Sequence, residues 1–294
     1  MSALIPSADV LRHFRETHPL RALQSGPDRW DYVSGGTGER VILLVGGAGS
    51  TAESMFLVNA ALESCGCRVV SVGIPASVTS VEQLTQGIHA ILDSLEVPQV
   101  NLLGHSLGGM IVQSFAVRYP QRVAGLVLSN TGFYLGARAT LMPAASSLMA
   151  RAPEGLLLRS VASQLRRLLS SASDGDFWLD FYRAELSLPD AATRVRSSLI
   201  LIARLARFFR DAPIRSTLPW VQAIPVQIIT SEDDRGYTKK ETAFLAELYP
   251  NSQTTTLPKG TGHLSFLTKP DEYIAAVKKL LARLSTHPTH ETRW

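Results

Sequence analysis

The sequence predicts an α/β protein built on a mainly parallel sheet with helices on both faces, interrupted once by a helical insert. Three observations carry that expectation. Short apolar runs alternate with helix-period segments along most of the chain, the pattern of strand–helix–strand units. The alternation stops between Phe133 and Trp220, where no strand pattern occurs. The chain has 294 residues, 45% of them hydrophobic, so one large packed core is within reach. We therefore expect a core of residues 1–132 and 221–294, and a helical lid of residues 133–220.

Each element has a local reason. Residues 7–17 read as a short helix that Ser7 can cap and His18-Pro19 ends. Trp30–Val33 is strand-like and leads into the loop SGGTGER. Val41–Val45 is five consecutive aliphatic residues, as a strand covered on both faces requires. Further strands are expected at Arg68–Val72, Val100–Gly104, Val123–Leu128, Val226–Thr230 and Gln253–Leu257. Helices are expected over 51–64, 80–95, 107–119, 239–249 and 271–284. Inside the insert, Val161, Leu165, Leu168 and Ala172 form one apolar stripe, and Leu199, Ile202, Leu205 and Phe209 another, with arginines off each. A stretch so apolar is not a loose loop. The tail STHPTHETRW is polar and expected to fray.

Charge narrows the partners. The net charge is +4, and residues 133–220 carry all of the excess, with twelve Arg, no Lys and seven acidic residues, 12 − 7 = +5. Exposed aromatics interleaved with basic residues, as a nucleic-acid surface needs, do not occur, so nucleic acid is not expected as a partner. An anionic substrate or a membrane surface remains open for the insert. No apolar run reaches the roughly 18 residues of a membrane span, and the N-terminus lacks the pattern of a secretory leader; a cytoplasmic protein is expected. Cys65 and Cys67, the two cysteines, are too few for a disulfide framework. No His or Cys cluster completes a zinc site there, and neither metal nor organic cofactor is expected. The sequence sets no oligomeric state.

Two turns carry the chemistry. After Val41–Val45 comes Gly46-Gly47-Ala48-Gly49-Ser50-Thr51-Ala52, in which residues 47–52 spell G-x-G-x-x-A. That variant fits a dinucleotide cradle, but a ribose-binding acid should end the next strand, and RVVSVGIPASV has none. The alternative is a loop that turns backbone N–H groups toward a developing oxyanion. The second turn is Gly104-His105-Ser106-Leu107-Gly108, a G-x-S-x-G that follows an apolar strand and opens a helix. That context is the one a serine nucleophile needs, because so tight a turn strains the serine backbone and demands small neighbours.

Serine needs a base, and the base an orienting acid. Downstream, IPVQIITSEDD presents Asp233 and Asp234, and TTLPKGTGHLSF presents His263 in a glycine-flanked loop. Asp234, four residues past the strand end, is the preferred acid and Asp233 the alternative. Position 130, after the preceding strand, is Asn and is set aside as an acid. His105 is expected to point away from Ser106 by strand alternation. His13, His18, His89, His287 and His290 fall in helices or tails and are read as solvated or packed.

These residues resemble the α/β-hydrolase superfamily over nearly the whole chain. The carriers are VGGAGS, GHSLGG, SEDD and GTGHLSFLTKP. FRETHPLRAL, the Trp30 region and LLGHSLGGMIVQSFA also look like the maspardin-like branch, some of whose members lack a full triad and act as binding proteins. The resemblance implies an α/β-hydrolase fold, with Ser106 as nucleophile, His263 as base and Asp234 as acid. Many family members have His-Gly where this chain has Gly46-Gly47. The expected oxyanion donors are the N–H groups of Ala48 and Leu107, so that difference need not impair them. Gly47, Gly49, Phe133 and Trp178 are expected at the substrate pocket. The expected activity is hydrolysis of a carboxylic ester, thioester or lactone of a partly apolar small molecule. A substrate acid group would be the natural partner of any insert arginine that faces inward. The alternatives are carbon–carbon bond hydrolysis, lyase or perhydrolase chemistry on the same triad, or a non-catalytic binding protein.

Overall fold

A computed structural model describes residues 5–169, 172, 174–211 and 224–286. The strands among them are β1 (Arg21–Ser25), β2 (Asp28–Gly35), β3 (Arg40–Val45), β4 (Cys67–Val72), β5 (Val100–His105), β6 (Val123–Ser129), β7 (Val226–Ser231) and β8 (Ser252–Leu257). The helices are α1 (Ala8–Thr17), α2 (Phe56–Glu63), α3 (Val81–Ser94), α4 (Leu107–Arg118), α5 (Arg138–Met149), α6 (Glu154–Leu169), α7 (Gly175–Leu186), α8 (Ala191–Asp211), α9 (Lys239–Leu248), a short α10 (Ser265–Thr268) and α11 (Pro270–Thr286).

All eight strands join one sheet in the order β1-β2-β4-β3-β5-β6-β7-β8. β2 runs antiparallel to both β1 and β4, and every other pair is parallel. The central strands explain the arrangement. β5 is buried at every position and β3 at all but its first, so both faces need a cover. Leu43 and Leu102 face α3, α4 and α9, packing with Ile88, Met110, Phe115 and Leu245. Leu44 and Leu103 face α1, α2 and α11, packing with Phe14, Phe56, Tyr273 and Val277. The two-residue side-chain alternation of a strand produces this division. β8, SQTTTL, is largely exposed because it sits at the sheet edge.

Some elements depart from the sequence reading. β1 pairs Leu23 with Trp30, yet RALQS is mostly exposed and carries no apolar run that would announce a strand. α2 begins at Phe56 rather than 51, because residues 51–56 turn: Ser54 Oγ accepts from Thr51 N at 2.8 Å, and Phe56 N donates to Glu53 O. Between β6 and β7 lie α5, α6, α7 and α8, with no strand among the described residues of that stretch. Leu205 and Phe209 of the expected stripe are buried, joined by Leu201, while Val161, Leu165, Leu168 and Ala172 are half-buried. The expected edge of the lid at 220/221, Trp220, His287, His290 and the rest of the tail from 287 lie outside the described residues.

A buried carboxylate ties the insert to the core. Glu241 caps α9 by accepting from Thr238 N at 2.8 Å. Its other oxygen accepts from Arg138 Nε at 3.0 Å and Leu135 N at 3.2 Å, which anchors the start of α5. Among the described residues no helix is long and apolar enough to cross a membrane.

Candidate active site

β3 pairs with β4 on one side and β5 on the other, so the chain reverses its direction of travel across the sheet between β3 and β5. Loops leaving the carboxyl ends of such strands open a crevice at that point. The loop after β3 holds Gly47–Thr51, and the turn after β5 holds Ser106. A Cβ placed on Gly47 would lie 3.6 Å from Ser106 Cβ and 3.6 Å from the His105 ring, so the two turns face each other at van der Waals distance.

The turn at Ser106 is strained and tightly packed. Ser106 has φ +54° and ψ −117°, a region that costs a non-glycine residue about 1–3 kcal/mol. The surroundings hold it there. Ser106 N donates to Ser129 O at 2.9 Å, and Thr131 Oγ1 donates to Ser106 O at 2.7 Å. The motif glycines permit backbone contact: a Cβ on Gly108 would meet Val45 O at 2.1 Å, and one on Gly104 would meet Gly108 O at 2.3 Å. Leu107 opens α4, so its N–H has no acceptor within the helix.

His263 joins this turn to the loops after β7 and β8. His263 Nε2 lies 2.8 Å from Ser106 Oγ, and His263 Nδ1 lies 2.8 Å from Asp234 Oδ1. The carboxylate can only accept, so Nδ1 carries the hydrogen and Nε2 is free to accept from the serine hydroxyl. Of the two acids expected there, Asp234 is the one against the imidazole. Asp233 is exposed and accepts from Gly260 N and Gly262 N, both at 2.9 Å, bracing the histidine loop. Partial burial works against the Asp233 charge, but these two N–H groups outweigh it and hold the carboxyl below its ordinary range.

Asn130 is the residue that sequence reasoning undervalued. It is fully buried at the end of β6, with φ +44°. Its Nδ2 donates to Asp234 Oδ2 at 2.9 Å and to Ser231 Oγ at 3.1 Å, and its Oδ1 accepts from Ser265 Oγ at 2.5 Å. Asp234 Oδ1 also accepts from Gly236 N at 2.7 Å. The amide therefore holds the Asp234 carboxylate in place. The signal was its position at a carboxyl strand end.

His105 is also nearer the site than alternation suggested. Its ring lies 5.4 Å from that of His263 and stands edge-on to Phe266 at 4.8 Å. Burial, and secondarily the neighbouring His263, push its pKa well below the usual histidine value. Its Nδ1 shares a hydrogen bond with Ser129 Oγ at 3.1 Å.

The other expected residues fall in several places. Ala48 is exposed at the crest of the loop after β3, beside the half-buried Gly47. Gly49 has φ +75° and packs against Val195 of α8. Phe133 is buried where the insert leaves β6, edge-on to Phe209 at 4.8 Å. Trp178 is buried in an aromatic cluster with Phe56, Phe177 and Phe181. Among the described residues, insert arginines serve as ties or face solvent. Arg138 holds Glu241, Arg194 holds Asp190 and Glu185 O, and Arg196 Nη1 donates to Ala150 O at 2.7 Å. Arg159, Arg166, Arg167, Arg204 and Arg207 are exposed.

Comparison with known proteins agrees with this geometry at the level of class. The family model of the alpha/beta hydrolase fold matches residues 39–270, well over half of the chain, so the chain belongs to that family. An uncharacterised protein of Mycobacterium tuberculosis is 26% identical over 70% of this chain, and the aligned part spans only 63% of that relative's length. Maspardin of Danio rerio is 36% identical over 125 residues, 40% of each chain. The solved enol-lactonase of Burkholderia xenovorans superposes with a TM-score of 0.71 at 19% identity, covering 89% of this chain and all of that one, a likeness of fold.

Proposed function

We propose that this chain is a serine hydrolase that cleaves a carboxylic ester, thioester or lactone through an acyl–enzyme on Ser106. The observation that carries the reading is the unbroken hydrogen-bonded line from Ser106 Oγ through His263 to Asp234, with 2.8 Å at each step. Structural serines and histidines seldom align this way at a strained turn, and strain at a nucleophile is what exposes its hydroxyl.

The chemistry follows from the donors present. Ser106 Oγ attacks the carbonyl carbon while its proton passes to His263 Nε2. The carbonyl oxygen becomes an oxyanion, and the N–H groups of Ala48 and Leu107 are its proposed donors, aided by the amino end of α4. Collapse breaks the bond to the leaving alcohol, thiol or enol, which takes the proton from His263. Water then attacks the acyl carbon, with His263 accepting a proton and returning it to Ser106. Asp234 keeps the imidazole hydrogen on Nδ1 and stabilises the transient imidazolium. Phe133 and Phe209, packed edge-on where the insert meets the core, are the proposed apolar contacts, and they favour an apolar acyl or alcohol part. No insert arginine among the described residues lends support to a substrate acid group.

A fluorophosphonate probe and a panel of model esters, lactones and β-diketones test the proposal. Parent protein should label at Ser106 and turn over esters or lactones. Ser106→Ala should abolish labelling and lower kcat by about 10⁶-fold. Turnover of Ser106→Ala at the parent rate defeats it. A folded parent that neither labels nor hydrolyses anything points instead to a binding protein of the maspardin kind.

A further inference from the structure

Ser197 and Ser198 sit side by side in α8, within the stretch RVRSSLI. A serine inside a helix commonly bonds back to the carbonyl three or four residues earlier, as Ser64 does to Ala60 O and Ser147 to Pro143 O. These two reach out of the insert instead. Ser197 Oγ donates to Val78 O at 2.6 Å, in the loop between β4 and α3. Ser198 Oγ accepts from Gly49 N at 2.9 Å, in the loop between β3 and α2. Both serines are buried, so neither bond competes freely with water.

The loop that Ser198 grips is the one that carries Ala48. Its own bracing is slight: Ser50 N donates to Gly47 O at 3.2 Å, closing a four-residue turn with Gly49 in the left-handed region. That third position is one that glycine fills without strain. Thr51 is held from within the loop by Ser54, and the hold on Gly49 comes from the insert. Val195, one turn before Ser198, lies 3.4 Å from where a Gly49 Cβ would stand. Thr51 faces Glu185, a buried residue at the end of α7. So the insert touches the loop at Gly49, while the core touches it at Gly47 and, from Gly73, near Thr51 and Ala52.

We propose that Ser198 is a positioning residue for the N–H of Ala48, so that α8 completes the oxyanion site rather than only covering it. This rests on the serine-hydrolase reading above. With Ser198 in place, the Gly49 N–H is committed to α8, and the preceding peptide is left to present its N–H toward Ser106. Without it, the turn has one weak internal bond and the half-buried Gly49 N–H must find another acceptor. A loop that relaxes in this way loses alignment with the oxyanion, which forms only in the transition state, and so affects kcat and not substrate binding.

The test is steady-state hydrolysis of a p-nitrophenyl ester, with fluorophosphonate labelling, by parent, Ser198→Ala and Ser198→Thr. For Ser198→Ala we expect kcat to fall about tenfold with KM within about twofold. Labelling of Ser106 should slow by the same factor, because phosphonylation uses the same N–H donors. Ser198→Thr keeps the accepting oxygen and should recover kcat to within about threefold of parent. A Ser198→Ala protein with parental kcat overturns the proposal. So does a rise in KM alone, which would make Ser198 a substrate contact. Equal losses in the Ala and Thr variants, with a lowered melting temperature in both, would make the role purely structural and also overturn it. A parent that neither labels nor hydrolyses esters removes the serine-hydrolase reading itself, an outcome separate from these.

Discussion

The two sides of the candidate site are assembled by different means. On the side of the proposed nucleophile, Ser106 is fixed mainly by backbone meeting backbone, with one side-chain tie from Thr131. Gly104, Gly108 and Gly109 have no room for a Cβ, and the contacts they permit are with carbonyls of β3, with the backbone of α4 and with Thr131. On the side of the proposed acid, the loops of Asp234 and His263 are fixed by side chains, most of them reaching across large sequence separations. Asn130 holds Asp234, Asp233 holds Gly260 and Gly262, and Asp234 itself holds Gly236. Backbone contact tolerates almost no change in shape, whereas a side-chain tie can be cut one bond at a time. The nucleophile side should therefore fail by losing the fold, and the acid side by losing rate.

The largest expected effect follows from that contrast. Gly108→Ala would set a Cβ 2.1 Å from Val45 O and 2.6 Å from Gly46 O, both backbone atoms of a buried strand end. Neither can yield without moving β3, so the variant should lose about 3 kcal/mol or more of stability. Thermal melting and soluble yield measure it. A variant that melts within a degree or two of parent would show that the turn is less tightly packed than its contacts require.

The acid side should respond otherwise. Asn130→Ala removes the donor to Asp234 Oδ2 while leaving the Gly236 bond to Oδ1. A hydrogen bond to a charged group contributes about 1.5–3 kcal/mol, so kcat on a model ester should fall roughly 10- to 100-fold. KM should stay near parent, because Asn130 is buried and spends its hydrogen bonds on Asp234, Ser231 and Ser265. An unchanged kcat would mean that Gly236 alone orients Asp234, and the contrast between the two sides would weaken.

The same contrast explains what could be read in advance. A motif limited by backbone geometry must spell itself in adjacent glycines, so GHSLGG announced the strained turn at Ser106, and the aliphatic run Val41–Val45 announced its neighbour strand. Both elements lie close to where they were expected. Asp234 and His263 were found as loop residues after strands, which is a matter of order along the chain. Their supports were not found, because Asn130 meets Asp234 across 104 residues and no spacing records that pairing. Ser198 escaped for the same reason, 149 residues from Gly49. β1 was missed because an exposed edge strand needs no apolar face. Trp178 is expected at the pocket from its sequence, yet it packs on Phe56 of α2, a contact that apolar composition alone cannot distinguish from a substrate contact.

Acid should reach the two sides at different pH, and here the expected effect is smallest. His105 lies against the nucleophile turn, and burial, with His263 nearby, keeps it neutral well below its usual value of 6.5. Its folded pKa is lowered, so below about pH 6.5 the unfolded chain binds a proton that the native state excludes. Stability therefore falls as pH drops from that value, by up to about 1.4 kcal/mol per pH unit, and the effect is absent above it. Asp233, on the acid side, has a lowered carboxyl, so its contribution is present above its ordinary value of 3.8 and is lost only as pH falls through the lower folded value. Between pH 6.5 and 5, the nucleophile side alone should carry this loss of the two. Denaturant unfolding of parent and His105→Asn at several pH values in that window separates the terms. Asn does not titrate, so the slope of stability against pH should flatten by up to about 1.4 kcal/mol per unit, most fully toward pH 5, whatever the variant costs in packing. Parallel slopes would place the acid-sensitive proton elsewhere.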